Sequence, residues 1–338
     1  MNYAELIQLI KEEKTCNEIC TILGISNRQL YNSLIDLERQ SLFYKREYYS
    51  DGSIVYKFIS DDDALLDFVK DFCNGTNIIT PRGSDNLKCM VISDLHFGNS
   101  AQRLDLLDKV FDYCIKSNIH IIFCCGDMID GSFSKTKQNI KSPFDQIEYF
   151  INNYPFDKSI LTFAVAGNHD KCSYGLLSQD IISKVKNYRH DIIIGGYGNV
   201  HVNIKKDRIL LHHHIRGTNI DINEATIILK GHYHKYSAGI KDNSILYIKV
   251  PSLSELNKTL PAVLELNLDF QNGKIEHVNV KQFIFINRLR FLSEEEFSLN
   301  RNFNTSSSID NLSTSSDDKI LVKRMSQIEK FNRRFGLK

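Results

Sequence analysis

Residues 88–98 read KCMVISDLHFG, an apolar strand-like run that ends in the polar pair Asp94 and His96. Further apolar runs end in the same way: IIFCCGDMIDG (121–131), LTFAVAGNHD (161–170), RILLHHH (208–214) and IILKGHYH (227–234). Helical patterns separate most of these runs. This alternation predicts a domain of strands and helices whose strand ends meet in one crevice, where open α/β sheets hold their ligands.

The polar residues at these strand ends are carboxylates, a carboxamide and imidazoles, with no cysteine among them. They are Asp94, His96, Asp127, Asn168, His169, Asp170, His212, His232 and His234. Such oxygen and nitrogen donors suit manganese, iron or zinc better than a thiolate-bound structural zinc. Asp127 is the predicted bridging ligand, because two cations roughly 3.5–4 Å apart need a shared anion. We therefore predict two divalent metal ions, with manganese as the first choice.

A single histidine or aspartate at a strand end is usually a turn residue or a satisfied polar group. The complete set in one order argues for a common role instead. The remaining histidines outside these runs follow no such pattern, and we interpret them as ordinary. They are His120, His190, His201 and His277.

The ordered motifs resemble those of the calcineurin-like metallophosphoesterase superfamily. The resemblance implies a first metal held by Asp94, His96, Asp127 and His234. It implies a second metal held by Asn168, His212 and His232, with Asp127 shared. It also implies that His169 contacts the scissile phosphate and protonates the leaving oxygen, while Asp170 orients the imidazole of His169.

The run of three histidines leaves a choice of ligand. His212 follows the apolar strand directly and is the predicted ligand. Alternation along the strand would turn His213 to the opposite face. The same alternation would leave His214 on the side of His212, as a substrate contact or a support for the ligands.

The order of elements gives the fold class α/β (α+β), a two-sheet β-sandwich flanked by helices, over residues 87–290. The stretches SILYIKVPSLSEL (244–256) and PAVLELNLDFQNGKIEHVNVKQFIFI (261–286) add strands, the second with an Asn272-Gly273 hairpin turn. These strands are predicted to complete a second sheet. Residues 61–86 begin with three aspartates and end in the polar PRGSDN stretch, which is typical of a linker.

Residues 1–60 are predicted to form a small separate domain. Apolar spacing indicates a first helix around Leu6 and Ile10, and a second helix over 16–23 that Gly24 ends. Ser26 and a glutamine three residues later form a capping-box pair at the start of a third helix.

A hairpin is predicted to follow the third helix. In LFYKREYYSDGSIVYKF (42–58), alternating residues flank an Asp51-Gly52 turn. Helices followed by such a hairpin resemble a winged helix-turn-helix, and this is the predicted fold of the N-terminal domain.

The predicted outer face of the third helix is polar. Its residues are Asn27, Arg28, Gln29, Tyr31 and Asn32. Arg28, Gln29 and Asn32 are predicted to read major-groove edges of DNA, and Lys45 and Arg46 of the hairpin to contact phosphates. The domain carries seven basic and eight acidic residues, so it lacks the basic excess that phosphate-driven binding favours. DNA binding is the leading interpretation, and docking to a protein is the alternative.

The C-terminal part changes in composition. Residues 291–318 are rich in serine and asparagine, which predicts a disordered tether. Residues 319–338 place apolar side chains at helical spacing opposite basic ones, which predicts a basic amphipathic helix. This helix is expected to dock on a protein partner or on nucleic acid, or to fold back on the enzyme.

Composition limits the classes of protein. With 338 residues, of which 42% are hydrophobic, the chain can bury a substantial core and is expected to contain about two domains. No apolar run approaches the ~18 residues of a membrane span, and the acidic N-terminus lacks the pattern of a signal peptide. Of the eight cysteines, Cys89, Cys124 and Cys125 fall in buried-strand patterns, so we expect a reducing, cytoplasmic location without membrane attachment.

These observations predict a metal-dependent phosphoesterase that hydrolyses phosphodiester bonds in DNA, targeted by the N-terminal domain. The segments DLHFG, GDMID and GNHD are also similar to the nuclease branch of the superfamily, which includes the catalytic subunits of double-strand-break repair nucleases such as SbcD. One alternative is a phosphodiesterase or phosphatase acting on nucleotides or cyclic nucleotides. Another is a DNA-binding regulator whose phosphoesterase domain acts as a sensor.

Overall fold

A computed structural model of the protein describes residues 2–40, 42–59, 75–132, 136–173, 179–220, 222, 224–241, 244–256, 259–286 and 288–299. The helices in these ranges are α1 (Tyr3–Lys11), α2 (Cys16–Leu23), α3 (Asn27–Arg39), α4 (Leu104–Lys116), α5 (Pro143–Asn153) and α6 (Ile181–Tyr188). The strands are β1 (Tyr44–Tyr49), β2 (Ile54–Phe58), β3 (Thr76–Ile79), β4 (Asn86–Ile92), β5 (Ile121–Cys124), β6 (Leu161–Ala166), β7 (Ile192–Tyr197), β8 (Asn199–Ile204), β9 (Asp207–His212), β10 (Ala225–Lys230), β11 (Ser237–Lys241), β12 (Ile245–Lys249), β13 (Ala262–Gln271), β14 (Lys274–Ile286) and β15 (Arg288–Ser298).

The strands form two sheets that share one apolar core. The first has the order β15-β14-β13-β4-β5-β6-β7 and the second the order β11-β12-β10-β9-β8-β3-β1-β2. Phe123 and Phe163 of the first sheet belong to the same buried cluster as Leu211 of the second. On the other face of the first sheet, Ile122 belongs to a cluster with Val110 of α4. The predicted two-sheet architecture flanked by helices is therefore confirmed.

Parallel pairing brings the polar strand ends to one edge. Strands β4, β5 and β6 run parallel as neighbours, and so do β9 and β10. Their carboxyl ends lead into the polar residues of the five quoted runs. Both faces of the central strands are buried, which explains why these runs are continuously apolar rather than alternating.

The N-terminal helices and hairpin lie where the sequence predicts them. Ser26 caps α3 and forms the predicted capping box with Gln29. Gly24 ends α2 with a left-handed φ of 62°, a conformation that glycine adopts without strain. The leucines that point inward from α3, Leu30, Leu34 and Leu37, are fully buried.

Part of the predicted linker is a strand. Residues 76–79 form β3, which pairs in parallel with β1 on one side and β8 on the other. The hairpin of the N-terminal region thereby extends the second sheet instead of standing apart from it. Only Ile78 of β3 is buried, so the apolar pattern was too weak to reveal a strand whose pairing is made at long range. Residues 60–74 of the predicted linker lie outside the described ranges.

The start of the predicted tether is also a strand. β15 spans Arg288–Ser298 and pairs antiparallel with β14. Phe297 packs against the main core, and the Asn279 side chain donates a hydrogen bond to Glu294 across the pair. Residues 291–318 are mostly polar, so the sequence pattern did not indicate that their first residues belong to a strand. The rest of that segment and the predicted helix at 319–338 lie outside the described residues.

The N-terminal region packs against the rest of the chain at the amino ends of β6 and β7. The amide of Asn17 donates to the carbonyl oxygen of Lys158 at 3.1 Å. At the hairpin turn, a Cβ on Gly52 would collide with the backbone of Ser159, so glycine permits the close approach. Both contacts involve residues just before β6. The N-terminal region therefore lies at the strand edge opposite the polar strand ends.

Three expectations about individual residues change with this packing. Tyr31, predicted on the outer face of α3, is buried, and its ring stacks on His190 with centroids 3.7 Å apart. Arg46, predicted to contact phosphate, places Nη2 3.2 Å from Nε2 of His190. His190 is thus a buried contact between the two parts of the chain rather than an ordinary histidine. A local pattern cannot reveal these contacts, because they join residues far apart in sequence.

His190 should make stability depend on pH. Burial, followed by the charges of Arg46 and Lys186, lowers the pKa of His190 well below its ordinary value of about 6.5. The hydroxyl of Tyr56 lies 2.8 Å from its Nδ1, and the Tyr31 ring covers the imidazole. Below about pH 6.5 the unfolded chain binds a proton that the folded chain does not. The free energy of unfolding should therefore fall as the pH falls through this range.

The variant His190→Gln tests this effect. Urea unfolding at pH 7.5 and pH 5.5 should show a smaller acid loss of stability in the variant than in the unmodified protein. Equal losses would mean that the pKa of His190 does not differ between the folded and the unfolded chain.

No helix in the described ranges is long and apolar enough to cross a membrane.

Candidate metal centre

Several polar residues at the strand ends have strained backbones. The left-handed φ angles are 56° at Asp94, 51° at His96, 52° at Asp127, 78° at His232 and 54° at His234. Residues other than glycine adopt such angles rarely, and they persist where the surrounding structure imposes them, often at functional sites. The fold thus keeps these residues in a left-handed backbone conformation that they would rarely adopt in a short peptide.

A first group of potential ligands contains Asp94, His96 and His234, whose ligand atoms lie within 4.8 Å of one another. Nε2 of His234 lies 3.1 Å from Oδ1 of Asp94. Nδ1 of His96 is paired with the Asp130 carboxylate at 3.1 Å. Such a carboxylate fixes the ring and leaves the other nitrogen for a metal.

A second group contains Asp127, His213 and His232, again within 4.8 Å. Nε2 of His213 lies 3.1 Å from Oδ2 of Asp127 and 3.1 Å from Oδ1 of Asn168. Nδ1 of His232 lies 2.9 Å from the same Asn168 oxygen. This group therefore offers one carboxylate, one carboxamide and two imidazoles.

Asp127 connects the groups. Its Oδ2 lies 4.0 Å from Nε2 of His96 and 3.1 Å from Nε2 of His213. It also belongs to a third cluster with His96 and His169. The side chain is buried in the centre of the site, which is the position that a bridging carboxylate requires.

Gly167 is part of this arrangement. A Cβ at Gly167 would overlap with Oδ1 of Asp127, so a side chain there would displace the central carboxylate. The backbone N–H of His169, two residues later, donates to the same oxygen at 2.9 Å. The glycine of the GNHD motif thus lets the backbone approach and hold Asp127.

The electrostatics of the site favour positive charge in its centre. Burial alone would raise the pKa of the Asp94 and Asp127 carboxyls, but nearby histidines outweigh it and hold both pKa values below the usual range. Burial opposes charge on His213, yet the Asp127 carboxylate raises the pKa of His213 to about 10. A bound cation would take the place of these protons.

The donor set fits divalent metals. Nε2 of His96 is buried without a hydrogen-bond partner, 3.9 Å from Oδ1 of Asp94. Nδ1 of His213 donates a hydrogen bond to the carbonyl oxygen of Cys125 at 2.6 Å, so in the neutral ring Nε2 carries a lone pair. This lone pair faces the oxygens of Asp127 and Asn168, which are also acceptors. Acceptor atoms that converge in this way, together with an unsatisfied buried nitrogen, are stabilised by a cation between them.

The structure brings His213, and not the predicted His212, into the second group of potential ligands. The prediction named His212, but its Nδ1 pairs with Oδ1 of Asn199 at 2.9 Å, away from the other ligands. Burial and then the Lys230 charge lower the pKa of His212 to about 4. β9 continues through His212, and the chain leaves the sheet at His213. The ring of His214 lies 5.4 Å from that of His232, beside the site.

The other strand ends argue against His212, although they do not single out His213. At the other strand ends the ligand comes after the last strand residue rather than within the strand. Asp94 follows β4 by two residues, and His232 follows β10 by two. With β9 ending at His212, the same rule selects a residue beyond it.

Asp170 has a different role from the one expected. Nδ1 of His169 lies 2.6 Å from the carbonyl oxygen of Asp130, which therefore orients the imidazole. The Asp170 carboxylate instead accepts hydrogen bonds from the backbone N–H groups of Ile129 and Gly167. Burial and then the Asp127 charge raise the pKa of Asp170 to about 6. Asp170 thus joins the loops after β5 and β6, and the sequence pattern missed Asp130.

His169→Ala should slow hydrolysis without removing metal. The expected loss in kcat is about 100- to 10,000-fold, the usual contribution of a general acid. The assay is hydrolysis of bis-p-nitrophenyl phosphate, with metal content measured by elemental analysis. Loss of metal in this variant would show that His169 is a ligand instead.

The residues predicted to contact DNA lie away from this site. Arg28, Gln29 and Asn32 are exposed on α3, and Lys45 is partly buried on β1. The structure does not bring them near the metal ligands, because the N-terminal region packs at the opposite strand edge.

Residues 87–248 match the family model described as calcineurin-like phosphoesterase. No curated protein matches the chain. Among solved structures, Yfce, a phosphoesterase from E. coli, is 16% identical and covers 63% of this chain and 100% of its own, with a TM-score of 0.40.

Two further solved structures are similar in part. A dimetal phosphatase from Danio rerio is 9% identical and covers 63% of this chain and 99% of its own, with a TM-score of 0.41. The nuclease MPE from Pseudomonas putida is 13% identical and covers 60% of this chain and 87% of its own, with a TM-score of 0.32.

Proposed function

We propose that this protein, whose residues 87–248 match the calcineurin-like phosphoesterase model, is a metal-dependent hydrolase that cleaves phosphodiester bonds in DNA. The observation that carries the hydrolytic part is the position of Asp127 between two groups of potential ligands. Manganese is the proposed metal, because carboxylate, carboxamide and imidazole ligands suit it.

Each group of ligands has a distinct task in this proposal. Asp94, His96 and His234 hold one cation, Asn168, His213 and His232 hold the other, and Asp127 is shared. When bound, such a pair of cations activates water and neutralises the charge on the phosphate. His169, oriented through its Nδ1 by the Asp130 carbonyl, donates a proton from Nε2 to the leaving oxygen.

The DNA part of the proposal rests on the N-terminal region, which we interpret as a winged helix-turn-helix. Support comes from Arg28 and Asn32, which are exposed on one face of α3, whereas the side-chain oxygen of Gln29 accepts hydrogen bonds from Ser26 in the capping box. Such side chains can bond to base edges when a helix enters the major groove. Arg46 no longer belongs to the proposed contacts, because it packs against His190.

The position of α3 sets a minimum length for a DNA duplex that contacts both α3 and the metal ligands. The region contacts residues before β6, whereas the ligands of the GNHD motif follow β6, a strand of six residues. At about 3.3 Å per residue, the two ends are separated by roughly 20 Å. A duplex rising ~3.4 Å per base pair must extend at least about six base pairs from the cleaved bond to reach α3.

Duplex length should therefore control cleavage. We expect kcat/KM for manganese-dependent cleavage to rise once the duplex extends beyond this distance. The double variant Arg28→Ala, Asn32→Ala should remove the gain on long duplexes but hydrolyse bis-p-nitrophenyl phosphate normally. If the variant loses both activities, the N-terminal region supports the catalytic fold instead of binding DNA.

A substrate screen tests the function itself. Purified protein with manganese is offered labelled single- and double-stranded DNA, cyclic nucleotides and bis-p-nitrophenyl phosphate, with His169→Ala as the control. Cleavage of DNA that the control lacks supports the proposal. Hydrolysis of the small compounds alone would reject DNA as the substrate.

A further inference from the structure

A cleft separates the first turn of α3 from α5, α6 and the segment that precedes β6. It has a volume of about 460 Å³, within the range of roughly 300–1,000 Å³ that is usual for small-molecule sites. We name it the interface cleft and define it by Arg28, Glu148, Asn152, Phe156, Lys184 and Tyr188. It lies at the opposite strand edge from the metal ligands, so it is a separate site.

Aromatic rings form part of the wall. Phe156 is 52% exposed and Tyr188 is 47% exposed. Arg189 lies 5.8 Å from the centroid of the Phe156 ring, and Lys184 lies 6.0 Å from that of Tyr188. Exposed rings of this kind provide stacking surfaces for a planar ligand.

Only some of the charged side chains of the interface cleft form ion pairs within the described residues. Arg189 and Asp191 satisfy one another, with nitrogen to oxygen distances of 2.6 and 2.8 Å. Within the described part of the chain, the side chains of Arg28 and Lys184 make no hydrogen bond or ion pair, and Lys184 only faces the Tyr188 ring. Two cations from opposite walls therefore remain for an anion, and phosphate is one of the anions that arginine and lysine side chains bind strongly.

The other polar groups add specificity. Over the described residues, no hydrogen bond or ion pair engages the carboxylate of Glu148 or the amide of Asn152. A carboxylate can accept hydrogen bonds from sugar hydroxyls, and an amide can pair with the edge of a base. The cleft therefore offers partners for a planar base, a sugar and a phosphate.

We propose that the interface cleft binds a nucleoside phosphate, either a free nucleotide or the terminal nucleotide of a DNA strand. The base stacks on Phe156 and Tyr188, and the phosphate bridges Arg28 of α3 and Lys184 of α6. Because these cations belong to the two parts of the chain, the ligand strengthens their packing against each other. This inference does not rest on the proposed function, since it needs neither metal nor hydrolysis.

The test uses the full chain after removal of metal by EDTA, so that the metal centre cannot hold phosphate. AMP and a 5′-phosphorylated hexathymidylate are titrated separately by isothermal calorimetry. We expect one site per chain, and at least a tenfold loss of affinity in Phe156→Ala and in Lys184→Ala. Phe144→Ala and Lys109→Ala remove an exposed ring and an exposed cation elsewhere, and they should bind normally.

The two probes distinguish the sources of the ligand. Binding of AMP identifies a free nucleotide, and binding of the oligonucleotide alone identifies a strand terminus. Absence of binding to both probes would overturn the inference, as would full affinity in Phe156→Ala and Lys184→Ala. Normal hydrolysis of bis-p-nitrophenyl phosphate by the metal-loaded variants establishes that they are folded.

Discussion

Asp127→Asn is expected to reduce hydrolysis of bis-p-nitrophenyl phosphate by more than about 1,000-fold, since several kcal/mol of charge stabilisation would be lost. Asp127 is buried between His96 and His213, at 4.0 and 3.1 Å from their Nε2 atoms. An amide in its place keeps the shape but removes the anion that two cations would share. Elemental analysis should show less than the full metal content in the variant.

Asp112→Asn is a suitable control for this change. Asp112 is an exposed carboxylate on α4, so its loss should alter neither activity nor metal content. If Asp127→Asn retained full metal and near-normal turnover, the bridging role of Asp127 would be wrong.

His213→Ala is expected to have the second largest effect, while its neighbour His212→Ala should be nearly normal. His213 contacts both Asp127 and Asn168, whereas His212 pairs with Asn199 away from them. Removing His213 should take away one of the ligands of the second cation and reduce kcat by about 100-fold or more. The two adjacent histidines thus provide a matched pair.

The measurements for this pair are kcat for bis-p-nitrophenyl phosphate and bound metal per chain. His213→Ala should lose about one metal equivalent, and His212→Ala should lose none. The reverse result would restore the original prediction and contradict the position of His213 in the structure.

The location of the site could be predicted from sequence because parallel strands end at one edge. Asp94, Asp127 and His232 each follow an apolar run, and no long-range information was needed to bring them together. The structure differs from the prediction at His212 and His213 for a local reason. Strand alternation applies only inside a strand, and the chain leaves β9 at this point.

The contacts that support the site were harder to predict. Asp130 orients His169 through a carbonyl oxygen, a group that every residue carries and that no motif reveals. Asp170 was assigned to His169 because the two are adjacent, yet its carboxylate bonds to backbone groups of other loops.

The packing of the N-terminal region depends on residues distant in sequence. Tyr31 and Arg46 look like surface residues of a separate domain, and only the fold brings them to His190. Similarly, β3 gains its place from pairing with β1 and β8 rather than from its own pattern.

Manganese titration of the metal-free protein tests the central claim most directly. Bound metal is measured by calorimetry, and hydrolysis of bis-p-nitrophenyl phosphate is followed on the same samples. We predict two ions per chain, with full activity reached only when both are bound. Full activity without added metal, or saturation at a single ion, would contradict a catalytic centre in which Asp127 joins two cations.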